Sequence, residues 1–214
     1  SSGSGKEIAA RYIHQNSQRG NNRFVTVACA SIQSEKMEEL ARRLTPSGWS
    51  TLCPQAKIMH PTKGGFAWWL FEDDVSKDES MSQMEDSLSA ILKIMPNGPI
   101  IVGGFSQGGA MASALLETEA SNWIVGLVLI ATKTARPEEL RGSLPFLKPR
   151  PVVWMHGARD HLVPIDVGLE HIEIFEEFGW PVTRLEHEKG HMVNLNQFEK
   201  MREHITEIAE NSQR

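Results

Sequence analysis

At 214 residues, 40% of them apolar and 23% charged, the chain is long enough to bury a substantial core without disulfides or metals. A net charge of −5, with no Lys/Arg run and no basic residues interleaved with aromatics, excludes a nucleic-acid footprint. The longest apolar stretch, IVGLVLIA at 124–131, is too short to span a bilayer, which excludes integral membrane association.

The opening SSGSG resembles an engineered linker and is left out of fold reasoning. Residues 6–23 form an N-terminal segment in which KEIAARYIHQ has the pattern of a helix, and one domain is expected from 24 to 214. FVTVACA (24–30) is the first strand-like run, followed by a helix whose single apolar face carries Met37, Leu40, Ala41 and Leu44. STLCPQA (50–56) is the second run. Cys29 and Cys53 both lie in these apolar runs, so the expectation is buried thiols in a cytoplasmic protein.

A loop rich in large aromatics, GGFAWWLFEDD, precedes a helix bearing Met84, Leu88, Ile91, Leu92 and Met95. Strand-like runs recur at PIIVGGF (99–105), WIVGLVLIA (123–131) and PVVWMHG (151–157), with a weaker one at PVTRLEHE (181–188). Ala110, Met111, Ala114 and Leu115 predict a helix ending near 117–120. Ile165, Leu169, Ile172 and Phe175 predict another, stopped by Gly179, and Leu195, Phe198, Met201, Ile205 and Ile208 predict the last. Alternating apolar strands and amphipathic helices imply a mostly parallel sheet covered on both faces, an α/β/α three-layer sandwich with right-handed crossovers. In such a sheet, chemistry gathers in the loops at the carboxyl ends of the strands.

GGFSQGGAM (103–111) places Ser106 in a G-x-S-x-G pattern between a strand and a helix. A turn there holds a serine in strained backbone geometry with its hydroxyl above the sheet, and puts the N–H of Gln107 beside a developing oxyanion. Glycines at 104 and 108 let strand and helix approach closely. A serine nucleophile needs a base, and the base an orienting acid. Asp160 follows the strand at 151–157, His191 follows the strand at 181–188, and the chain order is Ser…Asp…His. Singly, Asp160 reads equally as a turn residue and His191 as a surface histidine.

HEKGH (187–191) also satisfies the H-E-x-x-H zinc pattern, with Glu188 as the general base of that mechanism. The pattern demands one continuous helix, which Pro181, the β-branched run and Gly190 oppose, so no metal is expected and His187 reads as a neighbour of the site. Cys29 has no evident base. Trp68, Trp69 and Phe71 are large for a loop; with Leu144 and Phe146 they are candidates for the wall of an acyl pocket, ordinary core packing being the alternative.

GGFSQGGAM, HGARDHLVP and GHMV, with weaker support from TLCPQA and the aromatic loop, resemble the α/β-hydrolase fold and within it the phospholipase/carboxylesterase family that includes acyl-protein thioesterases. The resemblance spans about residues 24–210 and implies a cofactor-free serine hydrolase acting on small-molecule carboxylic esters or acyl thioesters. It puts Ser106 on the nucleophile, Asp160 on the acid, His191 on the base and Gln107 on an oxyanion N–H. One departure stands out. Where the family has His-Gly at the end of its first core strand, this chain has Ala28 and Cys29, which leaves Ala30 nearest to the second oxyanion donor. The family's N-terminal hairpin is not evident, consistent with a minimal member, a fragment or an inactive relative. The expectation is a slow esterase, the alternative a catalytically silent relative that binds acyl ligands or proteins.

Overall fold

A computed structural model of the chain describes residues 23–28, 34–62, 64–71 and 74–213. The helical reading of 6–15, Cys29 and Ala30 lie outside the described residues. The main sheet is built from β1 (Arg23–Ala28), β2 (Trp49–Leu52), β5 (Ile100–Phe105), β6 (Ile124–Ile130), β7 (Val152–Gly157) and β8 (Val182–His187). Its order is β2-β1-β5-β6-β7-β8, and every pairing is parallel. The short strands β3 (Ile58–Met59) and β4 (Phe66–Ala67) make a separate antiparallel pair.

The helices are α1 (Ser34–Leu44), α2 (Lys77–Leu92), α3 (Gln107–Ala114), α4 (Pro137–Ser143), α5 (Ile165–Glu177) and α6 (Phe198–Asn211). Strand side chains alternate between the two faces, which divides the core in two. Ile100, Val102, Leu127, Leu129, Val152 and Trp154 pack with α2, α3 and α5 residues such as Met84, Met111 and Phe175. Ile101, Val128, Ile130, Val153 and Met155 pack on the other side with Met37, Ala41 and Leu44 of α1 and Met201, Ile205 and Ile208 of α6. These continuous apolar strands, buried on both faces, are what a covered parallel sheet requires.

Six strand-like runs correspond to the six sheet strands; β1 and β2 begin one residue earlier than expected, and the other four are one residue shorter at one or both ends. Proline explains the largest trim: Pro54, which has no N–H for a ladder, follows Cys53, and β2 stops at Leu52. Cys53 is half-buried rather than buried. The helix from 107 is shorter than its apolar pattern and passes into 3₁₀ turns at Leu115–Glu117 and Glu119–Asn122. Thr118 causes the break: its backbone is extended, and its hydroxyl donates to the Leu115 carbonyl while accepting from the Ala120 N–H. Gly179, at φ 74°, follows α5 where a helix stop was expected. Helix α4 and the β3–β4 pair carry too few residues for a periodic signal and are new from the structure.

The sheet order sets the place of the site. The chain winds outward from β1 to β2 on one side and from β5 to β8 on the other, so β1 and β5 flank the topological switch point. In open parallel sheets the binding crevice lies outside the carboxyl ends of the strands that flank this point.

Candidate active site

Ser106 leaves β5 at that switch point with φ 54° and ψ −123°, a conformation that disfavours any residue carrying a Cβ. The surroundings enforce it. The Ser106 N–H donates to the Ile130 carbonyl at 2.9 Å, the Ser106 carbonyl accepts from Gly109 N–H at 3.0 Å, and the Thr132 hydroxyl donates to the same carbonyl at 2.6 Å. Glycine is needed here because strand and helix nearly touch: a Cβ on Gly104 would sit 2.2 Å from the Gly108 carbonyl carbon, and one on Gly109 would sit 2.6 Å from the Thr132 methyl. Gln107 begins α3, so its N–H is one of the first N–H groups with no intrahelical acceptor, at the positive end of the helix.

The other two triad candidates meet. His191 Nδ1 lies 2.7 Å from Asp160 Oδ2, and the imidazole packs on Phe105, ring centroids 4.7 Å apart, one residue before Ser106. Ser106 Oγ and His191 share no hydrogen bond in this arrangement, a contact that in hydrolases often tightens only with substrate bound. Asp160 is fully buried at its side chain, and Oδ1 accepts from the Leu162 and Val163 N–H groups at 2.9 and 2.8 Å. Burial alone pushes its carboxyl up, but the Val163 N–H, the His191 ring and the Leu162 N–H outweigh that and hold it below the ordinary carboxylate range. An ionised Asp160 therefore accepts the Nδ1–H of His191 and leaves Nε2 as the basic atom.

Two loops must be held together for that contact to exist. Ala158 N–H donates to the His187 carbonyl at 2.7 Å and Arg159 N–H to the Lys189 carbonyl at 3.1 Å, continuing the β7–β8 pairing past the strand ends. Gly157 makes this approach possible, since a Cβ there would lie 2.2 Å from the Lys189 carbonyl oxygen. Beneath the acid, buried His156 donates Nε2–H to the Val163 carbonyl at 2.8 Å and lies 3.5 Å from Asp160 Oδ2. His156, at the end of β7, thus joins the Asp160 carboxylate to the loop that carries Val163.

HEKGH does not form the zinc helix. His187 ends strand β8, His191 lies in the loop beyond with Nδ1 committed to Asp160, and the Glu188 side chain is 85% exposed. Burial, then Lys189, lower the His187 pKa, and its Nδ1 accepts from Lys189 N–H.

A cleft of about 280 Å³ opens at Ser106 and Gln107. Its apolar side is Trp69, Phe71, Met81, Met84, Ala110 and Val163; its polar side is Ser80, Thr132, Lys133 and Thr134. Trp69 and Phe71, in edge contact with ring centroids 6.1 Å apart, both line this cleft. Trp68, Leu144 and Phe146 are not among the lining residues. Trp68 and Leu144 are buried in the core, whereas Phe146 is 88% exposed on a 3₁₀ turn. The core alternative holds for the first two because their side chains turn inward, and the last faces solvent. Thr132 and the Met81–Met84 wall carried no distinct sequence signal: Met84 read as helix core, and a threonine past a strand marks nothing by itself.

Residues 15–201 match the family described as "Serine hydrolase (FSH1)". The chain belongs to this serine hydrolase family. No match was found among curated proteins. Among solved structures it is similar to the Bacillus cereus carboxylesterase, with TM-score 0.66 and 18% identity over 92% of this chain and 98% of that one. It is also similar to Zea mays acyl-protein thioesterase 2, with TM-score 0.63 and 18% identity over 88% and 94%, and to esterase PE8, with TM-score 0.68 and 16% identity over 88% and 93%. At these identities the likeness is one of fold, and the fold is that of the α/β-hydrolases. Among the described residues, no helix of this family member is long and apolar enough to cross a membrane.

Proposed function

We propose that this serine hydrolase cleaves carboxylic esters or acyl thioesters through Ser106, His191 and Asp160 by way of an acyl-enzyme. The observation that carries the reading is the strained Ser106 backbone, φ 54°, at a strand–turn–helix junction that opens into a cleft. Membership of a serine hydrolase family and the fold shared with a carboxylesterase and an acyl-protein thioesterase support it.

In the proposed cycle, Ser106 Oγ attacks the carbonyl carbon while His191 Nε2 takes the hydroxyl proton, and Asp160 stabilises the resulting imidazolium. The tetrahedral oxyanion is met by the Gln107 N–H at the start of α3. Collapse expels the alkoxide or thiolate, which receives the proton from Nε2, and an acyl group remains on Ser106 Oγ. Water, deprotonated by the same Nε2, then attacks the acyl carbon; the Oγ–C bond breaks, Ser106 Oγ takes the proton back from Nε2, and the carboxylic acid is released. At about 280 Å³ the cleft is near the lower end of small-molecule sites. With its apolar side of Trp69, Phe71, Met81 and Met84, it suits short to medium acyl groups. Ser106→Ala is expected to lower kcat on p-nitrophenyl esters by several orders of magnitude, on the order of 10⁶ in comparable triads, at unchanged folding. Retention of most activity contradicts the assignment.

The second oxyanion donor is proposed to be the Ala30 N–H, in a sequence that lacks the His-Gly of the phospholipase/carboxylesterase family. Losing one donor typically costs about 10²–10³ in rate. Restoring the dipeptide with Ala28→His and Cys29→Gly is therefore expected to raise kcat/KM across an acyl-chain series. A folded double variant with unaltered turnover of every ester removes the proposed deficit.

A further inference from the structure

The carboxamide of Gln107, one residue past the strained serine, points away from the reacting centre and into the aromatic loop. Its Oε1 accepts from the Trp68 N–H at 2.8 Å, and its Nε2 donates to the Trp69 carbonyl at 2.8 Å, across 39 and 38 residues of chain. These partners fix the orientation of the amide, because the Trp68 N–H can only donate and the Trp69 carbonyl can only accept. The same short segment is held from its other side by α2. Ser87 Oγ donates to the Trp68 carbonyl, and Gln83 Oε1 accepts from the Leu70 N–H at 2.8 Å.

Segment 68–70 lies past β4, outside any strand or helix, so side chains satisfy the backbone groups that a sheet would otherwise pair. Three side chains take up four main-chain groups in three consecutive residues. Of these side chains only Gln107 comes from the nucleophile elbow; Gln83 and Ser87 come from the far wall. Trp69, which is buried, and Phe71, which is half-exposed, form the apolar side of the cleft directly beyond this clamp. Of the three side chains, Gln107 ties that wall directly to the residue adjacent to the serine.

We propose that the Gln107 carboxamide is a positioning group that locks the Trp68–Phe71 wall to the nucleophile elbow and thereby sets acyl-chain selectivity. The selectivity half rests on the reading of Ser106 as the nucleophile; the clamp itself does not. A short acyl group such as acetyl ends before the aromatic wall and does not sense its position. A longer one such as hexanoyl must pack on Trp69 and Phe71, so its binding in the transition state follows the wall.

Gln107→Met keeps the length of the side chain and the backbone N–H but removes both hydrogen bonds, and Gln107→Glu keeps the acceptor while losing the donor to Trp69. The first measurement is amide hydrogen exchange at Trp68, which needs no catalysis. In Gln107→Met its protection is expected to fall by about tenfold, the scale of one hydrogen bond; unchanged protection overturns the clamp. The second is the ratio of kcat/KM for p-nitrophenyl hexanoate to that for p-nitrophenyl acetate, in which any change common to both esters cancels. The ratio is expected to fall by about tenfold in Gln107→Met and in the same direction in Gln83→Met, which leaves the elbow untouched. In Gln107→Glu it is expected to recover as pH is lowered and the carboxyl regains a proton to donate, with no recovery in Gln107→Met. Equal losses on both esters, or a flat pH response of the ratio in Gln107→Glu, overturn the selectivity role. If the unsubstituted protein turns over neither ester, the ester reading fails while the exchange measurement still decides the clamp.

Discussion

Thr132 shows how much of a strained residue is held by a neighbour with no sequence signature. Its hydroxyl donates to the Ser106 carbonyl at 2.6 Å, and its methyl fills the space against Gly109. Valine has nearly the same shape without the hydroxyl. Thr132→Val is therefore expected to cost about 1–2 kcal/mol of stability, measured by urea unfolding, and to lower kcat more than KM rises, because the serine is displaced rather than the cleft. A variant with unchanged kcat removes Thr132 from the support of the elbow. Ser106, Asp160 and His191 stand out in the sequence as candidates because each falls in the few residues after an apolar run, where a parallel sheet collects chemistry. For Trp68, Leu144 and Phe146 the sequence left pocket and core open for an equally physical reason: an apolar residue in a short irregular segment carries no periodicity to say which way it faces.

Among the elements, α3 and α5 meet through a buried polar contact that makes folding sensitive to acid. His171 of α5 places Nε2 2.8 Å from Ser113 Oγ of α3, and its ring is 1% exposed. Burial, then the nearby His156, push its pKa down from 6.5 to about 3. The folded state thus holds His171 neutral, while the unfolded chain takes up a proton below its ordinary pKa. Its contribution to stability is full above pH 6.5 and is lost as pH falls from there toward 3. In His171→Leu the slope of unfolding free energy against pH in that window is expected to drop by up to about 1.4 kcal/mol per pH unit, the value of one proton. An unchanged slope assigns the acid sensitivity to other groups. The element reading from sequence succeeded for α1, α2, α5 and α6 because each keeps one apolar stripe for three or more turns. It overran at α3, where Thr118 ends a stripe that composition alone continues.

At the scale of the whole molecule, strand alternation was enough to give a parallel sheet, but not its order. The order β2-β1-β5-β6-β7-β8 places the divergence of the crossovers between β1 and β5, and so makes the turn at Ser106 the floor of a crevice rather than one loop among several. Asp160 and His191 then arrive from the ends of β7 and β8, neighbouring strands whose loops are joined by main-chain hydrogen bonds. The central claim is that this arrangement activates Ser106. Its most direct test is reaction with a fluorophosphonate probe followed by intact mass and peptide mapping, which reads nucleophilicity without assuming a substrate. One adduct per chain is expected, located on Ser106, absent in Ser106→Ala and strongly slowed in His191→Ala. An unlabelled protein, or equal labelling of Ser106→Ala, contradicts it.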